Sequence, residues 1–197
     1  MNNVLKLEPR ENEWLNLETE KTYSRATIGS LVHAALEQNW SETETEKQPG
    51  YLPKNVQTEI WELVHRARNG VFTALSQLEW QCEMAISVEY ENIQLEGIVD
   101  AHLGGWVLDY KTDTRLEPEH HLIQLSIYAK YFKATRASLA YLRHNTLHEF
   151  SLEDLGRGEQ QLLEVLRGIG EAQYKATPSS RACKFCAFSR QCKDFVA

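Results

Sequence analysis

Two aspartates and a lysine are the residues of this sequence whose types and spacing most clearly suggest chemistry. Asp100 ends one apolar run, and the triplet Asp109-Tyr110-Lys111 ends the next. Because side chains two positions apart on a strand point to the same face, Asp109 and Lys111 should lie side by side. Carboxylates placed among aliphatic residues need a compensating cation or hydrogen bonds, and a divalent metal such as Mg²⁺ or Mn²⁺ is an economical solution through oxygen ligands. This pattern favours metal-assisted hydrolysis of phosphodiesters.

The residues around the two aspartates decide between this interpretation and a simpler one. In the simpler one, Asp109 and Lys111 form a surface ion pair worth ~0–1 kcal/mol, and Asp100 only ends a strand. However, two consecutive glycines, 104 and 105, separate the apolar segments Leu95–Leu103 and Trp106–Tyr110, which predicts a hairpin. Each segment carries one carboxylate, so the hairpin would bring both to one sheet edge, and this favours the metal site.

Two predicted helices carry further polar side chains. His33 lies in a helix predicted from Thr27 to Trp40, where it could be a metal ligand or a structural residue. Gln124 and Tyr128 are four positions apart, on one face of a helix predicted from Pro118 to Phe132. An amide and a phenol could align a lysine, a water or a phosphate oxygen, or the helix could simply pack on the sheet.

The remaining segments predict an α/β fold. Their hydrophobic spacing indicates helices and strands in alternating groups around one mixed sheet. The helices are expected at Val56–Leu78 and Leu152–Tyr174, and the strands at Met84–Tyr90, Ala137–Leu142 and Leu147–Phe150, with a turn at Glu91-Asn92.

Length and charge fit one globular domain with local basic surfaces. The chain has 197 residues, a net charge of −7 and no apolar run long enough to cross a membrane, so we expect a cytoplasmic protein with no membrane partner. Basic residues nevertheless cluster in two places, which could contact nucleic acid or simply be solvated. These clusters are Lys130, Lys133 and Arg136, and Lys175, Arg181, Lys184, Arg190 and Lys193.

Four segments together resemble the RecB-type branch of the PD-(D/E)XK nuclease superfamily. They occur in the order GSLVHAALE, GIVD, VLDYKT and QLSIYA, within residues 27–132. The resemblance implies a restriction-endonuclease-like core, with a central mixed sheet flanked by helices and a cysteine-bearing cap at the C-terminal end. The expected division is an N-terminal arm at 1–26, the nuclease core at 27–174 and the cysteine-rich segment at 175–197.

The resemblance also implies a role for each site residue. His33, Asp100 and Asp109, with the backbone carbonyl of Tyr110, match the ligands of Mg²⁺ or Mn²⁺. Lys111 matches the catalytic lysine. The pair that orients this lysine and the DNA is matched by Gln124 and Tyr128.

The activity implied is that of a DNA nuclease. We expect an exonuclease that acts on single-stranded or frayed ends in DNA repair, recombination, or phage or CRISPR DNA processing. The alternative is a catalytically silent subunit that binds DNA or serves as a scaffold beside a helicase or an integrase-like protein.

Three of the four cysteines lie close together near the end of the sequence. Cys183, Cys186 and Cys192 have the spacing of ligands for zinc or for an iron–sulfur cluster. The resemblance to the family's iron–sulfur members, such as a CRISPR-associated exonuclease and the AddB subunit, implies a [4Fe–4S] cluster. Those members supply a fourth cysteine before the histidine helix, where this chain has none. Either Cys82 is the fourth ligand, or the ligand comes from elsewhere, or the cluster is lost.

Overall fold

The computed structural model describes residues 24–41, 52–69, 72–90, 93–172 and 176–196 of the chain. Most of the predicted N-terminal arm and the predicted turn at Glu91-Asn92 lie outside these ranges, as does Tyr174. The helices are α1 Arg25–Glu37, α2 Lys54–Arg68, α3 Thr73–Ser76, α4 Leu122–Phe132, α5 Leu152–Gly170 and α6 Ser180–Phe185. The strands are β1 Gln81–Tyr90, β2 Ile93–Leu103, β3 Trp106–Lys111, β4 Arg136–Tyr141 and β5 Thr146–Phe150.

The five strands form one mixed sheet in the order β1-β2-β3-β4-β5. Strands β1, β2 and β3 are antiparallel neighbours, and β2 and β3 turn at the two glycines as the sequence predicts. Strand β4 runs parallel to β3, with Asp109 opposite Leu139, and α4 makes the crossover between them. The α/β fold class, with a mixed sheet flanked by helices, is therefore confirmed.

Helices cover the sheet on two sides, and apolar alternation on the strands fills both interfaces. Leu108 and Ala140 belong to the cluster formed with α1 and α2, while Val107 and Leu139 belong to the cluster formed with α4. A smaller cluster joins α5 to β1. None of the helices in the described part of the chain is long and apolar enough to span a membrane.

The single helix predicted from Val56 to Leu78 is wrong. Helix α2 ends at Arg68, and Asn69 has an extended backbone, with φ −134° and ψ −177°. The side-chain amide of Asn69 donates a hydrogen bond to the His65 carbonyl at 2.8 Å. This bond satisfies a backbone acceptor that has no partner within the helix, because the helix ends at Arg68. The apolar spacing continues past this break because Phe72 and Leu75 are also buried. Hydrophobic spacing alone therefore could not reveal it.

The alternation of strand β2 changes at Asp100. Val99 packs in the cluster on the α4 side, whereas Ala101 packs in the cluster on the α1 side. In a regular strand these two side chains would share a face. The cross-strand pairing of β1 and β2 is interrupted at the same level, where Glu83 has φ 49°. This irregularity places Asp100 between the two helical layers rather than within either of them.

Candidate active site

A closed set of polar contacts joins the end of β3 to helix α4. Lys111 Nζ lies 2.7 Å from Asp109 Oδ2 and donates to Gln124 Oε1 at 3.1 Å. Gln124 Nε2 donates in turn to Asp109 Oδ1 at 3.2 Å and to the Tyr128 hydroxyl at 2.8 Å. The orientation of Lys111 is therefore fixed by two side chains, one from the sheet and one from the helix.

Tyr128 anchors this set to the neighbouring strand. Its hydroxyl donates to the Ile98 carbonyl at 2.7 Å, and its ring lies against Gly97, where a Cβ would stand 3.5 Å from it. The Tyr128 ring therefore packs against β2 at Gly97, at a distance where a Cβ would be in ordinary van der Waals contact. Helix α4, carrying Gln124, is held at a fixed height above the aspartates.

Asp109 is almost completely buried, with an exposed fraction of 2%. Burial raises the pKa of Asp109 to about 7, and the negative charge of Asp100 adds to the rise, while Lys111 opposes it. Its Oδ2 atom contacts the Lys111 ammonium but receives no hydrogen bond of regular geometry. A buried carboxylate oxygen in this state is well suited to a cation.

Asp100 connects the hairpin to helix α1. Its Oδ2 accepts from the Tyr110 backbone N–H at 2.7 Å, and its Oδ1 lies 3.2 Å from His33 Nδ1. Burial lowers the pKa of His33, but the hydrogen bond and charge of Asp100, with Asp109 and Glu83, outweigh burial, and the pKa is raised. His33 therefore lies against the Asp100 carboxylate, and its role as a metal ligand stays a prediction.

Glu83 is a site residue that the sequence analysis missed. The ligand atoms of His33, Glu83 and Asp100 lie within 4.8 Å of one another, and this is the only such set of three among the described residues. Burial and the charge of Asp100 raise the pKa of Glu83. Its positive φ is uncommon for a non-glycine residue, and such conformations concentrate at functional sites. Only the cross-strand position opposite Asp100 could have indicated it.

The donors present fit a hard divalent cation. The His33 imidazole and the carboxylates of Glu83 and Asp100 converge. Asp109 lies outside this set of three, and its buried Oδ2 receives no regular hydrogen bond. Oxygen-rich sets of this kind suit Mg²⁺ and Mn²⁺. A cavity of about 420 Å³ gives access to the group, lined by His33, Glu37, Cys82, Glu83, Asp100 and Tyr110 among others. The role of the Tyr110 carbonyl as a ligand stays a prediction.

The first predicted basic cluster is largely neutralised by neighbouring acids. Lys130 pairs with Glu159, and Arg136 pairs with Glu149 while stacking 3.6 Å from the Trp106 ring centroid. These contacts explain the residues without a nucleic acid. Of the second cluster, Arg181 lines a cavity together with His121, whose pKa is lowered by burial and by the charge of Lys111.

The cysteines occupy two places in the fold. Cys183 is buried and accepts a hydrogen bond at 3.5 Å from the Val196 N–H, whereas Cys186 is exposed and Cys192 half-buried. Cys82 lies in the candidate metal cavity, where burial and the charges of Glu83, Asp100 and Glu37 raise its pKa. The described cysteines form no set of three ligands within 4.8 Å. Their role in holding an iron–sulfur cluster or zinc stays a prediction.

Comparison with known proteins identifies a family, and the similar solved structures include the two described below. The family model of the PD-(D/E)XK nuclease superfamily matches residues 1–193. A crystal structure named "Putative exonuclease" from Eubacterium rectale shares 15% identity, covering 87% of this chain and 76% of that one, with a TM-score of 0.60. The crystal structure of SSO0001 shares 19% identity over 86% of each chain, with a TM-score of 0.45. No protein of curated function matches the sequence.

Proposed function

Because the chain belongs to the PD-(D/E)XK nuclease superfamily, a family of metal-dependent nucleases, we propose that it hydrolyses phosphodiester bonds in DNA. We further propose that it is an exonuclease acting on single-stranded or frayed ends. The Eubacterium rectale structure named "Putative exonuclease" agrees with this proposal in its fold.

The contact between Lys111 and Asp109 carries the proposal. A surface ion pair would leave the carboxylate in solvent, whereas Asp109 is buried and Lys111 is held at 2.7 Å by it and at 3.1 Å by Gln124. Fixing a lysine in this way costs side-chain entropy and desolvation, which a structural ion pair rarely recovers. This cost is therefore better explained by a preorganised active site than by a contribution to the stability of the fold.

In the proposed site, His33, Glu83, Asp100 and Asp109 would hold Mg²⁺ or Mn²⁺. When bound, the ion supplies charge that polarises the scissile phosphate and lowers the pKa of a water. Lys111 would donate a hydrogen bond to the attacking water and offset the negative charge that develops on the phosphorus oxygens. Gln124 and Tyr128 keep the ammonium in place, so that little reorganisation is needed when the substrate arrives.

The test is a cleavage assay on labelled single-stranded DNA, duplex DNA and RNA, each with Mg²⁺, Mn²⁺ or EDTA. Cleavage of DNA should require the ion, and Lys111→Ala should lower kcat/KM by a factor of about 100 or more. Lys54→Ala removes an exposed lysine from the start of α2 and serves as the matched control. A release of mononucleotides from the ends would support an exonuclease, whereas internal fragments would contradict it.

Two outcomes would overturn the proposal itself. Retention of more than about a tenth of the wild-type kcat/KM by Lys111→Ala would contradict the role of the lysine. DNA binding without any ion-dependent cleavage by the wild-type protein would favour the catalytically silent alternative.

A further inference from the structure

A second cavity is lined by Gln124 and by none of the proposed metal ligands. It has a volume of about 390 Å³ and opens between helix α4 and the hairpin of β1 and β2. Its walls are mostly aliphatic, with polar groups at the rim. The lining residues are Ile86, Leu95, Glu96, Gly97, His120, Ile123, Gln124, Ile127 and Tyr128, and this set is called the apolar slot below.

The apolar slot borders the candidate active site at Gln124, although no described residue lines both the slot and the metal cavity. Gln124 and Tyr128 line it, and the same Gln124 amide contacts both Asp109 and Lys111. His120, Gln124 and Tyr128 are spaced four residues apart and so lie on one face of this segment. That face borders both the apolar slot and the candidate active site. A molecule whose phosphate reached Lys111 would therefore place its next group at the mouth of the slot.

The slot and its surroundings match the two parts of a nucleotide. His120 also lines a polar cavity, whose other charged or titratable lining residues are Asp113, Arg115, Glu117, His121 and Arg181. Guanidinium groups suit phosphates, whereas a largely apolar slot that includes the Tyr128 ring suits the flat apolar face of a base. The volume of the slot falls within the range of about 300–1,000 Å³ typical of small-ligand sites.

We propose that the apolar slot binds an unpaired nucleobase of the strand whose phosphodiester bond lies at Lys111. This inference rests on the proposed nuclease function and adds the reason for a preference for single strands. A base enters such a slot only when it is neither paired nor stacked, so a duplex must first open. Single-stranded or frayed ends avoid that cost.

Binding of abasic DNA tests the slot without requiring cleavage. The probe is a fluorescent single-stranded oligonucleotide in Mn²⁺, compared by anisotropy with an oligomer of the same length that has tetrahydrofuran residues in place of nucleosides. Lys111→Ala protein prevents cleavage during the measurement. Since stacking contributes appreciably for each base, the abasic oligomer should bind about tenfold or more weakly.

Two variants separate the slot from other contacts. Ile123→Ala shortens one wall of the slot and should weaken binding of the normal oligonucleotide about fivefold, without changing that of the abasic one. Ile169→Ala is the matched control, because Ile169 lies exposed on α5 outside the slot. The wild-type comparison of the two oligomers remains decisive if Ile123→Ala does not fold.

The possible results divide the two proposals. Equal binding of normal and abasic oligomers, or a preference that Ile123→Ala leaves intact, would overturn the slot. An Ile123-dependent preference for normal DNA would support it. If that preference is found while the wild-type protein never cleaves, the slot stands and the nuclease function fails. If ion-dependent cleavage proceeds equally well through abasic residues, the nuclease function stands and the slot fails.

Discussion

Lowering the pH should weaken binding of Mn²⁺ to this protein. The ion and a proton compete for the same Asp109 carboxylate, because metal ligands must be deprotonated. Burial, with the charge of Asp100, raises the pKa of Asp109 to about 7, against an ordinary value of 3.8. The competition therefore falls in the neutral range instead of in acid.

The size of the effect follows from the titration of one group. With a pKa of about 7, the ionised fraction of Asp109 falls from about three-quarters at pH ~7.5 to about one-tenth at pH ~6. The Kd for Mn²⁺ should thus rise about eightfold over this interval from Asp109 alone. His33 acts in the same direction, because its pKa is also raised and its protonation also blocks a ligand.

Titration calorimetry with Mn²⁺ at the two pH values measures the change directly. Asp109→Asn should bind the ion more weakly at both values but with a smaller change between them. Measurements in two buffers of different ionisation enthalpy should show proton release on binding by the wild-type protein at pH ~6.5. A wild-type Kd that stays constant from pH ~6 to pH ~7.5 would refute the assignment of Asp109 as a ligand with a raised pKa.

Three further substitutions test packing and the site. Gly158→Ala should destabilise the protein by ~1–3 kcal/mol in urea unfolding, because the new Cβ would overlap the Ser126 hydroxyl. Gly156→Ala is the matched control: it has open space around it and should be neutral or stabilising by up to ~1 kcal/mol. Tyr128→Phe removes the hydroxyl between Gln124 and the backbone of β2 and should lower kcat/KM about tenfold while costing ~1 kcal/mol of unfolding free energy. Equal kcat/KM for the phenylalanine variant would show that the tether does not position the lysine. Glu83→Asn should raise the thermal midpoint of the ion-free protein, because asparagine tolerates a positive φ and carries no charge beside Asp100. The same substitution should weaken Mn²⁺ binding several-fold, as measured by calorimetry.

The ion-free protein should show the opposite dependence on pH from that of metal binding. Since the folded pKa of Asp109 lies above 3.8, its value in the unfolded chain, the native state binds more protons between these values. The contribution of this group to stability is therefore full below pH ~4 and is lost as the pH rises towards ~7. Unfolding by urea in EDTA at several pH values should show this loss in the wild-type protein and not in Asp109→Asn.

Much of the site could be predicted because its residues lie on regular elements. The two glycines fix the hairpin, and strand alternation puts Asp109 and Lys111 on one face. Four-residue spacing likewise predicts that Gln124 and Tyr128 act together, and the 2.8 Å contact between them agrees. These features depend only on local geometry.

What the sequence could not reveal depends on local exceptions and on tertiary contacts. Glu83 lies opposite Asp100 with a positive φ, one residue before the predicted strand Met84–Tyr90, so that prediction does not include it. The break after Arg68 could not be predicted from hydrophobic spacing, because buried apolar residues continue beyond it. The tether from Tyr128 to Ile98 requires the packing of α4 over Gly97, which is visible only once the fold is assembled.

The placement of His33 and Asp100 on different layers makes the ion a cross-link as well as a reagent. One ligand belongs to an outer helix and the others to the central sheet, so occupancy would add a link between parts of the chain that are held together by apolar packing and by the contact of His33 with Asp100. By mass action, an ion at a hundred times its Kd stabilises such a joint by about 2.7 kcal/mol. The supply of divalent metal would then govern how long the molecule survives proteolysis, and not only how fast it works.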